Sequence, residues 1–404
     1  MLIQRLISKA VNFAATQAKV VLITGPRQVG KSTLLKMLYP NYTYVTLDDD
    51  YELDLALNDS VLFFRDKKLP LIIDEIQYAP KIFRALKLHA DNLNQYGQFF
   101  ISGSQTYELL SKSVESLAGR ICIIEMSALS LREIYNVEFN KPFLSTDEYL
   151  TERGNELKSY QKIWDTIHRG SMPKLIDRSI NWEWFYRDYI KTYLERDVRQ
   201  IINIRDLNNF KNFMAVVASR SGQMVNYSEM AKDSFIDIKT LKSWLSVLEA
   251  SGIVKIIHTY SNNLINRIIK APKLYFMDTG LMCYLTGWIT PQSAQVGTMS
   301  GAIFETFVVS EILKSYMNAG IGTDNIYYYR DKDKKEIDLI IEKDNVIYPI
   351  EIKKGANVDR HWADNFKVLD KINGKTVGKG AIICLADKKV AISDSVDALP
   401  IEYI

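Results

Sequence analysis

The stretch Val21-Leu-Ile-Thr24-Gly25-Pro-Arg-Gln-Val-Gly30-Lys31-Ser32-Thr33-Leu-Leu-Lys-Met-Leu38 decides the fold of the N-terminal part of the chain. An apolar run enters the pattern G-x-x-x-x-G-K-S, and a segment of helical character leaves it. Strand, loop and helix in that order are the context that a phosphate-binding loop requires. Glycines at 25 and 30 let backbone N–H groups curl around phosphate oxygens at a helix N-terminus, where the helix dipole favours anions. The expected nucleotide-binding segment is therefore Gly25, Pro26, Arg27, Gln28, Val29, Gly30, Lys31, Ser32 and Thr33. In such a loop the lysine, Lys31, reaches the β- and γ-phosphates of ATP, and the Ser32 hydroxyl ligates Mg²⁺.

A second motif, Leu71-Ile-Ile-Asp74-Glu75, complements the first. An aspartate at the end of a buried strand holds Mg²⁺ through water, and an adjacent glutamate orients the attacking water. Helix capping would account for one of these carboxylates and less readily for both. The run Phe99-Phe-Ile-Ser102 ends in Gly103-Ser104-Gln105, so Ser104 or Gln105 is placed to touch the γ-phosphate; an ordinary turn or helix N-cap is the alternative. Arg120 is a candidate transition-state arginine, acting in cis or on a neighbouring subunit of a homo-oligomer, with a structural salt bridge as the alternative.

Working outward, 404 residues imply two to four domains, and 47% apolar with 25% charged residues is a soluble globular composition. No apolar run approaches the ~20 residues of a membrane span, so no membrane is expected. The basic, partly apolar N-terminus lacks an uninterrupted hydrophobic region and reads as a short helix ahead of the first strand, which predicts a cytoplasmic protein. Cys122, Cys283 and Cys384 are too scattered for a disulfide framework or a cysteine zinc site. A net charge of +3 permits nucleic-acid binding without demanding it.

Alternating apolar runs and helical patterns predict an α/β core with a parallel sheet. Its expected strands are Val20–Thr24, Tyr44–Leu47, Leu71–Asp74, Phe99–Ser102 and Ile121–Glu125. The division expected is a P-loop ATPase core over 1–135, a helical lid over 136–205, a winged-helix region over 206–290 and a C-terminal α/β domain over 291–404. Ile289–Ser300, where Pro, Ser, Thr and Gly accumulate, is the expected loose segment.

In the C-terminal part, alternation in Glu336-Ile-Asp338-Leu-Ile-Ile-Glu342 sets Asp338 opposite Ile337, Leu339 and Ile341. In Tyr348-Pro-Ile-Glu351-Ile-Lys353, Glu351 and Lys353 share one strand face, roughly 7 Å apart. Glu305 lies in a helical segment upstream. Carboxylates at Glu305, Asp338 and Glu351 are candidate Mg²⁺ ligands, with Lys353 beside the attacking water, an arrangement that cleaves phosphodiesters. The alternative is a solvated strand face with cross-strand ion pairs.

Between these parts, helical segments around Phe210–Arg220, Tyr227–Ala231 and Ile238–Ala250 precede apolar runs at Ile253–Tyr260 and Lys273–Met277, a winged-helix order. Ser228 is a candidate cap for the second helix. Lys239, Thr240 and Lys242, early in the third, are candidate contacts to DNA; domain packing or protein binding is the alternative.

Taken together, Gly25–Ser32, Asp74-Glu-Ile-Gln77, Ser102-Gly-Ser104 and Leu117-Ala-Gly-Arg120 resemble the AAA-superfamily ATPases of bacteria and archaea that carry a winged-helix region and a C-terminal domain of the restriction-endonuclease-like, PD-(D/E)xK, fold. Tyr193-Leu-Glu-Arg-Asp197-Val and Tyr275-Phe-Met-Asp278-Thr-Gly280 are similar to that family as well; Gly170-Ser-Met-Pro173 departs from its usual Gly-Gly-x-Pro turn. The resemblance implies ATP and Mg²⁺ at Gly25, Gly30, Lys31, Ser32, Asp74 and Glu75, and a nuclease-like site at Glu305, Asp338, Glu351 and Lys353. Two functions follow as expectations: a DNA-associated ATPase with a nuclease-like domain, or an ATP-driven switch acting on a protein partner without nuclease activity.

Overall fold

The computed structural model describes residues 3–104, 117–160, 162–194, 207–261, 267 and 270–404. It divides into two compact units, one of Met1–Leu129 with Ala250–Ile253 and Met317–Ile321, the other of Ser130–Glu249, Val254–Tyr316 and Gly322–Ile404. Gln105 and most of the Tyr193–Val198 motif lie outside the described residues.

In the first unit, strands β1 (Val20–Thr24), β2 (Thr43–Thr46), β3 (Leu71–Asp74), β4 (Phe99–Ser102) and β5 (Ile121–Glu125) form one sheet in the order β2-β3-β4-β1-β5. All pairings are parallel. A parallel strand covered on both faces reads as an unbroken apolar run, which is why Val20-Val-Leu-Ile and Leu71-Ile-Ile are continuous. Helices α1 (Ser8–Gln17), α2 (Lys31–Leu38), α3 (Asp50–Asn58), α4 (Ser60–Arg65) and α5 (Ile82–Asp91) flank it. Asp49 caps α3 by accepting from Tyr51 and Glu52 N–H, and Asp59 caps α4. On one face, Leu22, Leu71, Ile73, Phe99 and Ile101 pack with Phe63, Phe83 and Leu86 in a single buried cluster. An Ile73→Ala cavity there would cost roughly 2–5 kcal/mol.

The second unit opens with short helices, among them Asp147–Gly154, Ile163–Arg169 and Trp182–Tyr189. Asp278 ties two of the motif segments together. It caps the helix Thr279–Leu285 through Leu281 N–H (2.8 Å), accepts from Ser171 N–H (2.7 Å) and Oγ (2.9 Å), and accepts from the Tyr186 hydroxyl (2.6 Å). Gly280 is needed because a Cβ would lie 2.4 Å from that hydroxyl.

Three helices, Leu207–Ser219, Tyr227–Asp233 and Ile238–Ala250, precede an antiparallel ribbon of β6 (Val254–Ile257) and β7 (Lys273–Phe276). The segment before the second helix bonds to β7 through Gly222 N–H to Leu274 O (2.8 Å) and Val225 N–H to Pro272 O (2.7 Å), with an isolated bridge between Met224 and Lys273. The second helix is capped by Asn226, whose side chain accepts from Glu229 N–H, rather than by Ser228. Asn226 immediately precedes the first helical residue, where a side-chain oxygen meets the free N–H groups.

The C-terminal sheet contains β8 (Ile326–Arg330), β9 (Glu336–Lys343), β10 (Val346–Ile352), β11 (Thr376–Val377), β12 (Gly380–Cys384), β13 (Val390–Ser393) and β14 (Val396–Pro400). Its main order is β13-β14-β12-β10-β9-β8, with β11 beside β10. Ile337, Ile340, Ile347, Ile382 and Ala398 are buried in its core. The long helix Ser300–Asn318 belongs to the same unit. Ahead of it, the segment expected to be loose contains a helix, Pro291–Val296. Thr290 and Ser293 form a capping box around it and Pro291 takes the first helical position, start signals that outweigh the turn-rich composition.

Candidate functional site

The phosphate loop leaves β1 under tight constraint. Gly25 has a φ of +139°, and a Cβ there would lie 2.0 Å from Met126 O. Gly30, at φ +94°, caps α2 in the left-handed region and turns the helix N-terminus toward the loop. Buried Arg5 braces the loop, donating to Val29 O (2.7 Å) and Ser127 O (2.8 Å). Lys31 is buried as well, and its Nζ donates to Gly25 O (2.9 Å) and Pro26 O (2.8 Å). Carbonyl oxygens thus pre-position the ammonium over the loop, with neutral partners that a phosphate can replace. Gln28 Oε1 and Ser104 Oγ are buried with no hydrogen-bond partner, leaving polar atoms in this region for a ligand to satisfy.

Sheet order brings the second motif alongside. Strand β4 lies between β1 and β3, so its tip stands between the phosphate loop and Asp74. Asp74 is buried and doubly held: Tyr44 donates to Oδ2 at 2.7 Å and the Ser102 hydroxyl donates to Oδ1. Burial and the Asp74 carboxylate push the Tyr44 phenol well above its usual range. Glu75 sits in the left-handed region at φ 58°, turning its side chain out of the strand line. Burial raises the Glu75 carboxyl above the ordinary glutamate range, against the lowering effects of the Gln77 hydrogen bond and of Arg27 and Lys31. The Gln77 amide bridges two elements, donating to Glu75 Oε2 and accepting from Ser104 N–H at 3.3 Å.

Lys31, Asp74, Glu75 and Ser104 therefore gather at the C-terminal end of one parallel sheet. Tyr44, Ser102 as the partner of Asp74, and Arg5 are additions that only the folded chain reveals. Arg120 is not at that end. Its carbonyl accepts from Val20 N–H at the start of β1, about 15 Å of strand from the loop, and its guanidinium pairs with Asp91. A role for Arg120 in cis is therefore corrected by position.

In the second unit, Leu339 pairs with Ile350, so one further step of that antiparallel register sets Asp338 across from Glu351. Asp338 Oδ2 accepts from Ile352 N–H (2.8 Å), and Lys353 Nζ lies 2.6 Å from Glu351 Oε1. Burial, then Glu305 and Glu351, hold the Asp338 carboxyl far above the usual aspartate range. Burial also raises Glu351, with Lys353 opposing, and Glu351 Oε2 is buried without a partner. Glu305, Asp338, Glu351 and Lys353 thus come together, but a further lysine stands among them. Lys273 Nζ is 2.6 Å from Glu336 Oε1, 3.2 Å from Glu305 Oε1 and 4.0 Å from Asp338 Oδ1. Burial alone would lower the Lys273 pKa; Tyr275, Glu305, Asp338 and Glu336 outweigh it and hold the ammonium charged. Among the described residues, no group of three or more His, Cys, Asp or Glu side chains is placed to hold a metal ion. In this arrangement Glu305 and Asp338 do not fit a divalent ion, because the buried Lys273 ammonium takes their charge, and Glu351 is paired with Lys353. No part of the sequence reading singled out Lys273 or Glu336.

Residues 17–135 match a family model described as an AAA domain. Two models described as domains of unknown function, DUF8612 and DUF4143, match residues 160–292 and 300–404. Over 393 residues the chain is 27% identical to the uncharacterized protein Rv2008c of Mycobacterium tuberculosis, across 97% of this chain and 82% of that protein. The uncharacterized protein Mb2031c of Mycobacterium bovis matches to the same extent. Among solved structures, the chain is similar to the Walker-type ATPase PABY2304 of Pyrococcus abyssi, with 14% identity, a TM-score of 0.42 and coverage of 69% of this chain and 94% of that one. The AMPPCP-bound DnaA of Aquifex aeolicus matches with 14% identity, a TM-score of 0.28 and coverage of 60% and 86%. The N-terminal unit carries an AAA-type ATPase domain. No helix among the described residues is long and apolar enough to cross a membrane.

Proposed function

We propose that this chain, built on an AAA-type P-loop ATPase domain, hydrolyses ATP with Mg²⁺ and uses the nucleotide cycle to act on DNA through its three-helix and ribbon module, read as a winged helix. The observation that carries the hydrolytic part is the convergence at one sheet end of Lys31 on a pre-shaped loop, Asp74 held by two hydroxyls, and a buried Glu75 within the field of Lys31 and Arg27. Backbone N–H groups of Gly25–Thr33 and the Lys31 ammonium bind the phosphates. Ser32 and Asp74 would hold Mg²⁺, which would supply positive charge beside the γ-phosphoryl oxygens. Glu75, once ionised, accepts the proton of a water whose oxygen attacks the γ-phosphorus as the bond to ADP breaks. Ser104, tied to Glu75 through the Gln77 amide, would respond to the γ-phosphate.

Exposed Lys239 and Lys242 at the start of the helix Ile238–Ala250 support contact with nucleic-acid phosphates. A second reading, an ATP-driven switch on a protein partner without nuclease activity, is favoured by Phe235 and Ile238, which are 74% and 44% exposed at the same helix start. Steady-state ATP turnover with and without duplex DNA at low salt, with DNA binding measured in parallel, separates them. DNA-stimulated turnover that a Lys239→Glu, Lys242→Glu chain loses supports the first. Turnover indifferent to DNA, with no DNA binding, leaves the second. A chain inert toward ATP and Mg²⁺ removes both.

A further inference from the structure

Lys273 opens β7, and its side chain is 3% exposed among carboxylates from two other elements, Glu305 of the helix Ser300–Asn318 and Glu336 with Asp338 of β9. Two residues on and on the same strand face, Tyr275 donates to the same Glu305 oxygen at 2.7 Å. Backbone pairing fixes where this ribbon runs. Gly222–Val225 holds one side of β7, and the chain after β6 bonds to β8 through Tyr260 N–H to Tyr328 O (2.6 Å) and Tyr328 N–H to His258 O (3.1 Å). Lys273 is therefore delivered to the cluster by strand geometry rather than by a mobile surface side chain. Glu336 is shared with Arg330 at 2.9 Å, so the cluster's outer edge is neutralised as well.

We propose that Lys273 is the resident cation of the C-terminal carboxylate centre: its ammonium takes the place of a divalent ion, latches the β6–β7 ribbon to the helix Ser300–Asn318 and to β9, and keeps the centre metal-free while the ribbon is seated. Mg²⁺ demands an octahedral oxygen shell at about 2.0–2.1 Å. Carboxylates spread around an ammonium at nitrogen–oxygen contact distance cannot also close on such an ion, and a dication beside a buried ammonium meets repulsion that little solvent screens. Without the lysine, Glu305 and Asp338 lose the cation that lies between them, and a divalent ion can take its place. The inference concerns the second unit alone and stands whether or not the chain acts on DNA.

The test is Mn²⁺ uptake by the nucleotide-free full chain, read from the loss of the free-ion electron paramagnetic resonance signal. Wild type, Asp338→Asn, Lys273→Met and the Lys273→Met, Asp338→Asn double variant are compared. Wild type is expected to show no site that Asp338→Asn removes, up to millimolar Mn²⁺. Lys273→Met is expected to gain one site, lost again in the double variant. An Asp338-dependent site in wild type overturns the proposal, as does a folded Lys273→Met chain that gains none. If Lys273→Met proves unfolded by circular dichroism, wild type against Asp338→Asn decides alone: unchanged uptake upholds the proposal and reduced uptake overturns it.

Discussion

At the tip of β1 one buried lysine, Lys31, rests on carbonyl oxygens of its own loop, whereas at the start of β7 another, Lys273, rests on carboxylates from two other elements. Both ammonium groups are almost inaccessible to solvent. Their partners differ in charge, and that difference sets what each lysine does. Hydrogen bonds from an ammonium to neutral carbonyls contribute about 1.5–3 kcal/mol each but leave no charge behind when broken, so a phosphate can replace them. A buried ammonium among carboxylates is costly to separate, because each side would be left uncompensated. The first arrangement is ready for a ligand; the second is already complete.

The sharpest break of this comparison is expected from Glu75→Gln, which should lower kcat for ATP hydrolysis by roughly 10²–10⁴-fold while leaving ATP affinity nearly intact. Glu75 also gives a pH signature. Its carboxyl is raised, so below that raised pKa the base is protonated and inactive. The wild-type rate should therefore fall as pH drops through a value above the ordinary glutamate range, and residual activity of the Gln variant should lack that limb. For stability the sign is opposite: neutral Glu75 suits its buried place, so its stabilising contribution fades as pH rises through the same value.

Next comes Lys31→Ala, expected to reduce kcat roughly 10²–10³-fold and to weaken ATP binding in calorimetry. Its stability should fall less than at Lys273, since the hydrogen-bond acceptors left behind are neutral carbonyls. Lys273→Met should do the reverse: turnover of ATP stays near wild type, while urea unfolding of the second unit shifts by roughly 3–5 kcal/mol. Equal stability losses at Lys31 and Lys273 would undo the distinction between the two sites. Smaller again is Tyr44→Phe, which removes one of the two hydroxyls on Asp74 and should cost roughly 1–2 kcal/mol by the same measurement, with Ser102 still in place. The smallest effect is expected at Arg120→Ala, where ATP binding should be unchanged because the residue lies at the opposite end of β1 and β5 from the loop. Lost turnover in a chain shown to be monomeric would contradict that placement.

Much of the first unit was legible because parallel strands advertise themselves. Strands β1, β3, β4 and β5 follow the expected residues, since each is an unbroken apolar run bounded by polar turns. The loop glycines were equally plain, their spacing being the chemistry itself. Tyr44 and Ser102 were not legible as Asp74 partners, because they become neighbours only through the order β2-β3-β4. In the second unit, alternation in β9 and β10 located Asp338, Glu351 and Lys353 correctly on one face. It gave no sign of Lys273, which opens the apolar run Lys273–Met277 and has no spacing that links it to the carboxylates. Composition misjudged Ile289–Ser300 for a local reason: Thr290, Pro291 and Ser293 are turn formers and helix starters alike.

By itself, the sequence determined the nucleotide loop, the acidic strand end and the period of every strand that carries a candidate group. Those properties are local, set by backbone conformation and by side-chain spacing of two along a strand. Tertiary structure decided which charges meet. It placed Arg120 at the far end of β1 from the phosphate loop, put Ser102 and Tyr44 on Asp74, and carried Lys273 into the carboxylate cluster. Charges interact through space, over a few ångströms and with little solvent between them, so their partners are fixed by how strands pair and not by their order along the chain.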